Sequence, residues 1–195
     1  VTVLIIILVV AGFLSVRHFY FQPREVKAQA AMYKGEIYFA KDSFELALKG
    51  NGADFVGFEA IADDYSSTKA GNLAAAYAGI CYYNLGKDAE ALAYLKKFDG
   101  DDAFLSPNIE AMIGNCYANM DQYDDAIKAF EKAAKKADNE MASPIFLQKA
   151  ATVAEKMGNY KKALDFYQKI KDEYSQSMIG RDIDKYIERA KAHVK

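Results

Sequence analysis

The sequence predicts an all-α fold: an α-solenoid of about four helix–turn–helix units and a C-terminal capping helix, preceded by one transmembrane helix. Three features predict it: an apolar run at the amino terminus, a residue pattern that recurs four times, and an amphipathic stretch at the end of the chain. We predict three segments, which are a membrane anchor at 1–21, the repeat array at 22–175 and the cap at 176–195.

The amino-terminal run Val1–Val16 has no charged residue. A helix that crosses a bilayer needs ~20 apolar residues, with a range of ~17–25. Arg17 and His18 can extend toward water, and the aromatic residues 19–21 suit the membrane interface. A cleaved signal peptide competes, but no small-x-small cleavage site follows directly. We expect an uncleaved anchor and, because the chain begins with Val, further residues upstream.

The recurring pattern places a turn residue seven positions, and an alanine twelve positions, after a small residue. The four sets are Gly35, Asp42 and Ala47; Gly79, Gly86 and Ala91; Gly114, Asp121 and Ala126; Ala151, Gly158 and Ala163. Small residues let two antiparallel helices approach closely, while larger neighbours interlock beside them. The pattern therefore predicts four helical pairs, each closed by a tight turn.

Two local features refine this prediction. The glycine-rich stretch 50–54 is expected to break the second helix of the first pair. That helix resumes at 55–65, with Phe58 in the core position that Leu95 takes in the next pair. Ser106-Pro107 and Ser143-Pro144 predict helix starts with serine as the N-cap.

The terminal stretch 177–195 predicts a capping helix. Its apolar residues share one helical face, and its charges lie elsewhere. They are Ile179, Ile183, Tyr186, Ile187 and Ala190. Such a helix covers the last exposed core surface of a repeat array and presents a polar outer side.

The pattern over about 24–175 resembles the tetratricopeptide repeat (TPR) family, whose period is ~34 residues. With the anchor, the chain also resembles the single-pass ancillary subunit of the bacterial Sec translocon, in its Bacteroidetes-type form. STKAGNLAAAYAGICYYNLG and DIDKYIERAKA carry that resemblance. It implies a bacterial inner-membrane protein with its TPR domain in the periplasm, where possible partners are the translocon, exported chains and periplasmic chaperones. Arg17 and Arg24 oppose this orientation, which therefore requires a more basic upstream tail.

TPR arrays bind proteins or peptides on a concave face lined by the first helices of their pairs. Helical phase places these residues there: Ala76, Ile80, Tyr83, Asn84, Ala111, Asn115, Ala118, Asn119, Gln148, Thr152, Glu155 and Lys156. We predict a protein-binding groove at Tyr83, Asn84, Asn115, Asn119, Gln148 and Thr152, because amides can donate to and accept from an extended peptide. Simple solvation explains the same polar surface equally well.

The sequence favours a membrane-anchored scaffold that assists protein export or envelope assembly. We expect no enzyme, cofactor or metal site, because the two histidines lie near opposite ends of the chain and no phosphate-binding loop occurs. A net charge of −2 with interspersed charges disfavours nucleic acid. Acidic chaperone tails are not expected, since the groove positions lack a lysine and arginine clamp. The alternatives are a permanent structural or assembly subunit of a membrane complex, and a eukaryotic organelle receptor with cytosolic repeats.

Overall fold

The computed structural model describes residues 2–194, and these residues form helices joined by turns, without a strand. The chain divides between Phe98 and Asp99 into two compact halves, which we call the N-terminal half and the C-terminal half.

The N-terminal half contains α1 (Thr2–Val16), a π-helical segment (Arg17–Phe21), α2 (Gln22–Phe39), α3 (Phe44–Lys49), α4 (Phe58–Asp64), α5 (Lys69–Asn84) and α6 (Asp88–Leu95). The C-terminal half contains α7 (Leu105–Asn119), α8 (Tyr123–Ala137), α9 (Ser143–Lys156), α10 (Tyr160–Glu173), α11 (Met178–Arg181) and α12 (Asp184–His193).

The apolar run continues into the first helical pair without a linker. The continuous helical stretch Ile5–Phe39, of 35 residues, is long and apolar enough to cross a membrane, and its most apolar part is not buried against other described residues. Its distal end, α2, buries Ala28, Met32 and Gly35 against the repeats. The segment that we expected to anchor the protein and the first helix of the repeats are therefore parts of one helix.

The four predicted turn residues adopt the same backbone conformation. Asp42, Gly86, Asp121 and Gly158 have positive φ angles of 55°, 72°, 57° and 74°. The next residue donates its N–H to the carbonyl five positions back, as in Lys87 to Tyr82 (2.9 Å) and Gln122 to Tyr117 (2.8 Å). This geometry is a helix C-cap that requires a left-handed residue. The repeated turn signal is thus confirmed at all four sites.

We predict that Gly86→Ala lowers the free energy of unfolding by about 1 kcal/mol, because an L side chain is strained at its φ of 72°. No atom of the described residues lies within 4 Å of the added Cβ, so the expected cost comes from backbone strain and not from a clash. Gly86→Asn is the matched control and should lose less, since asparagine tolerates this conformation. Urea unfolding followed by circular dichroism measures both, and an Asn variant less stable than the Ala variant contradicts the argument.

Small residues bring the paired helices together as predicted. A Cβ added at Gly79 would lie 2.6 Å from Leu95 Cγ, and one at Gly114 would lie 2.8 Å from the Phe130 ring. In the first pair a Cβ at Gly35 would lie 2.7 Å from the Phe58 ring. Phe58 therefore fills the position of Leu95 and Phe130, although a loop separates its helix, α4, from α3.

The loop between α3 and α4 is organised by Asn51. Its Oδ1 accepts hydrogen bonds from the backbone N–H groups of Ala53, Asp54 and Phe55, each at 3.1 Å. Helix α4 resumes at Phe58 rather than at residue 55, and Gly57 precedes it with a φ of 90°. The predicted break is confirmed, and the hydrogen-bonded turn accounts for the later restart.

The predicted serine N-caps are wrong. Asp102 Oδ1 accepts from the N–H groups of Phe104 (2.8 Å) and Leu105 (2.6 Å) at the start of α7. Asn139 Oδ1 does the same for Met141 and Ala142 before α9. The serines instead lie buried inside the first turn, where Ser143 Oγ donates to the Ala134 carbonyl (2.9 Å). Each serine ties its helix to the preceding segment.

The C-terminal stretch forms two helices, α11 and α12, where we predicted one. Ile183, Ile187 and Ala190 are buried in the core of the C-terminal half, and Ile179 and Tyr186 pack beside them. The predicted apolar face is therefore confirmed. The Ser177 hydroxyl accepts from the Gly180 N–H and caps the start of α11, and Gly180 lies against the Tyr174 backbone.

Candidate protein-binding groove

A cleft of about 300 Å³ opens in the C-terminal half between α7 and α9, with α8 below it. We call it the α7–α9 cleft. Its lining residues are Asn115, Ala118, Phe130, Ile145, Gln148, Lys149, Thr152 and Val153. Three predicted groove residues, Asn115, Gln148 and Thr152, thus meet at one concave surface.

Lys149 is the central cation of this cleft. Its Nζ donates to Asn115 Oδ1 (3.0 Å) and lies 5.6 Å from the centre of the Phe130 ring. Burial lowers the pKa of the Lys149 ammonium, because the charged form loses contact with water. No carboxylate among residues 2–194 forms an ion pair with it. The amide of Asn115 and the ring of Phe130 are its local partners.

The remaining polar groups differ in their availability to a ligand. Thr152 Oγ1 donates to the Gln148 carbonyl one turn earlier (2.9 Å), so its proton is already used. Asn115 accepts from Lys149 through its oxygen, which leaves its NH₂ group uncommitted to the described residues. The side-chain amide of Gln148 is likewise uncommitted within residues 2–194 and partly exposed. These two amides are therefore the polar side chains of the cleft that remain open to further hydrogen bonds.

Three other predicted groove residues lie outside this cleft. Asn119 is exposed on α7, one turn beyond Asn115. Tyr83 and Asn84 belong to α5 in the N-terminal half, where Tyr83 is half-buried. The Asn84 amide donates to the Ile80 carbonyl of its own helix (2.8 Å).

Two positions that helical phase placed on the surface are buried. Ala76 is 1% exposed and Ala111 is 5% exposed. Helix α5 packs against α2, α3, α4 and α6. These four neighbours cover more of its surface than a single partner helix would. For Ala76 and Ala111 the predicted surface position is wrong.

The far end of the predicted face is occupied by ion pairs. Glu155 Oε2 accepts from Arg189 of α12 (2.6 Å). Lys156 lies 3.6 Å from Asp121 and 4.8 Å from the centre of the Tyr123 ring. These contacts attach the C-terminal helix and the α7–α8 turn to the end of α9. Glu155 and Lys156 therefore stabilise the packing of α9 against neighbouring segments.

Sequence reasoning did not assign Phe130, Ile145, Lys149 or Val153 to the groove. Helical spacing contained part of the signal, because 145, 148, 149 and 152 share one face of α9. Phe130 was correctly expected in the core and is buried, yet its ring also forms the floor of the cleft. Only the packing of α8 beneath α7 and α9 shows that double role.

Reactive groups are sparse in the described residues. No cluster of three or more His, Cys, Asp or Glu side chains within residues 2–194 has the geometry to hold a metal ion. Both cysteines are buried free thiols. Burial raises the pKa of the Cys81 thiol to about 12, which leaves it protonated and unreactive at neutral pH.

Comparison with known families agrees with the geometry of the helical pairs. Two family models described as tetratricopeptide repeat match the chain, one over residues 111–140 and the other over 77–99 and 147–177. A search of curated proteins finds no match. The first matched range covers most of α7 and α8, and the last covers most of α9 and α10. The predicted all-α repeat fold is confirmed, and the chain contains tetratricopeptide repeats.

Proposed function

We propose that this protein is a membrane-anchored TPR scaffold that binds proteins or peptides in the periplasm and assists protein export or envelope assembly. Tetratricopeptide repeats generally act as protein-binding scaffolds. The α7–α9 cleft carries the proposal, because it combines a concave surface, an apolar floor and two uncommitted amides. The Sec translocon and periplasmic chaperones are the candidate partners that the resemblance suggests.

The cleft suits an extended peptide segment. Amides of Asn115 and Gln148 can donate to carbonyls and accept from N–H groups of a peptide backbone. Phe130, Ile145 and Val153 offer an apolar surface for one side chain between those polar contacts. Recognition of this kind depends on the backbone more than on sequence, which is what a scaffold for varied clients requires.

We expect the double variant Asn115→Ala/Gln148→Ala to capture about tenfold less partner than the unchanged protein, since each lost hydrogen bond costs about 0.5–1.5 kcal/mol. The measurement is crosslinking in native membranes, followed by affinity purification and quantitative mass spectrometry. Asn108→Ala/Gln176→Ala is the matched control, because it removes the same two amide types from exposed positions of the C-terminal half outside the cleft. Equal capture by both double variants argues against the cleft.

The anchor and its orientation require a separate test. The continuous helix Ile5–Phe39 supports a membrane attachment that joins the first repeat without a linker. Protease added to spheroplasts should digest the repeats if they lie in the periplasm. Protection of the repeats in intact spheroplasts, with digestion only after lysis, would place them in the cytosol and refute the orientation.

One observation favours the alternative of a permanent subunit in a membrane complex. Helix α2 exposes Val26, Tyr33 and Ile37 on the face opposite its buried residues. If this face is a stable subunit interface, Tyr33→Glu should remove the protein from a complex on native gel electrophoresis. The cleft variants should leave that complex intact. If Tyr33→Glu leaves the complex intact and the cleft variants lose partners, the result supports the transient scaffold.

A further inference from the structure

A second cleft, of about 400 Å³, lies in the N-terminal half where the long amino-terminal helix passes the loop between α4 and α5. We call it the juxtamembrane cleft. Its lining residues are Arg17, Phe21, Gln22, Glu25 and Gln29 on the long helix, with Ser67, Thr68 and Lys69 opposite them.

Two of these residues are committed to the fold. Glu25 accepts from the N–H groups of Lys69 (2.7 Å) and Ala70 (3.2 Å) and from Gln29 Nε2 (2.9 Å). The carboxylate of Glu25 therefore caps the first turn of α5 and already accepts three hydrogen bonds. Thr68 accepts from the Gly71 N–H (2.9 Å) and caps the same helix. Both side chains hold the start of α5.

The two cationic side chains of the cleft, those of Arg17 and Lys69, do not hold the fold together in this way. The side chains of Arg17 and Lys69 are exposed, and neither forms an ion pair with a carboxylate of residues 2–194. Arg24, by contrast, donates to the Asp64 carbonyl and lies 5.3 Å and 5.5 Å from the ring centres of Tyr65 and Tyr20. Arg24 holds α2 against the repeats, whereas Arg17 and Lys69 leave positive charge beside an open volume.

Helix geometry gives the position of the cleft relative to the membrane. Arg17 directly follows α1, and the thirteen residues from Arg17 to Gln29 extend about 18 Å along the helix. The polar layer of a bilayer is about 5–8 Å thick on each side. If α1 spans the apolar core, the end of the cleft at Arg17 and Phe21 lies among the lipid headgroups. The exposed apolar side chains of α1 then continue below it as a surface for acyl chains.

We propose that the juxtamembrane cleft binds the headgroup phosphate of an anionic glycerophospholipid in the bilayer that α1 crosses. The inference rests on the proposed membrane anchor. Arg17 and Lys69 contact the phosphate, and Phe21 packs against the glycerol end of the lipid. With Glu25 the cleft carries one net positive charge, which selects a headgroup that lacks its own ammonium group. Bound lipid fixes the tilt of the first repeat over the membrane, because α1 and α2 are one helix.

The test uses the full chain in nanodiscs of phosphatidylcholine with one tenth phosphatidylglycerol. Native mass spectrometry after gentle release counts the phosphatidylglycerol molecules that stay bound. We expect one retained phosphatidylglycerol, with roughly tenfold lower occupancy in Arg17→Gln/Lys69→Gln, as each cation near an anionic lipid surface contributes a several-fold effect. Circular dichroism checks that the variant is folded.

Lys27→Gln/Lys41→Gln is the matched control, since it removes two exposed cations from the same half that do not line the cleft. Equal loss in both variants would show general surface attraction and overturn the proposal. So would displacement of the lipid by millimolar inorganic phosphate, which would identify a soluble anion as the ligand. Alkaline extraction of membranes tests the anchor separately. An inserted protein that retains no phosphatidylglycerol refutes only the lipid site, whereas a protein released by extraction refutes both.

Discussion

Phe58→Ala is expected to lower the free energy of unfolding by about 3–5 kcal/mol, which is the usual cost of truncating a buried aromatic side chain. Phe58 is 0% exposed, stacks on Tyr77 with ring centres 4.7 Å apart, and covers Gly35. Its loss leaves a cavity at the contact among α2, α4 and α5. Urea denaturation of the full chain in detergent, followed by circular dichroism, measures the change.

Phe104→Ala is the matched control, because the same atoms are removed from a side chain that is 79% exposed. The control should change the free energy of unfolding by less than about 0.5 kcal/mol. Losses of similar size in the two variants would mean that Phe58 does not fill the core position of the first pair. The loop between α3 and α4 would then not serve to place Phe58 in the core.

Gly71→Ala is expected to cost about 3 kcal/mol or more, which is unusual for the addition of one methyl group. An added Cβ would lie 1.9 Å from the Tyr65 carbonyl oxygen, and a backbone atom cannot rotate away as a side chain can. The movement that relieves this clash displaces the start of α5. It therefore disturbs the caps that Thr68 and Glu25 provide there.

Comparison with Gly86→Ala separates the two causes of a glycine requirement. Gly86 requires glycine only for its backbone angle, whereas Gly71 requires it only for space, because its φ is ordinary for a helix. Thermal and urea unfolding of both variants should rank Gly71→Ala as the larger loss by at least about 2 kcal/mol. Equal losses of unfolding free energy in the two variants would mean that α5 can move away from the Tyr65 carbonyl without a cost in stability.

Several features of the protein could be predicted from its sequence because they depend on local backbone physics. Asp42, Gly86, Asp121 and Gly158 all adopt the left-handed conformation at which we expected tight turns. Glycine and aspartate tolerate that conformation, so the requirement is readable in the residue itself. The close helix contacts at Gly79 and Gly114 could be predicted for the same reason, because they depend on the absence of a side chain at one position.

The start of each helix was less predictable, because several polar residues compete for the same N–H groups. Asp102 accepts from the first N–H of α7 and Asn139 from the turn just before α9, whereas the serines a few residues later lie inside the first turn. Their local sequence permits either arrangement. The choice follows from tertiary burial, since Ser143 reaches the Ala134 carbonyl of the preceding helix.

The sequence by itself determined the repeat fold, its four turns and the apolar face of the C-terminal stretch, because each depends on spacing along one helix or turn. Only the tertiary structure decided the composition of the two clefts. Lys149 meets Asn115 across 34 residues of chain, and Glu25 meets Lys69 across 44. Such pairs depend on how far one helix is rotated and shifted against another. That offset is a sum over many packing contacts, and no single residue pattern records it.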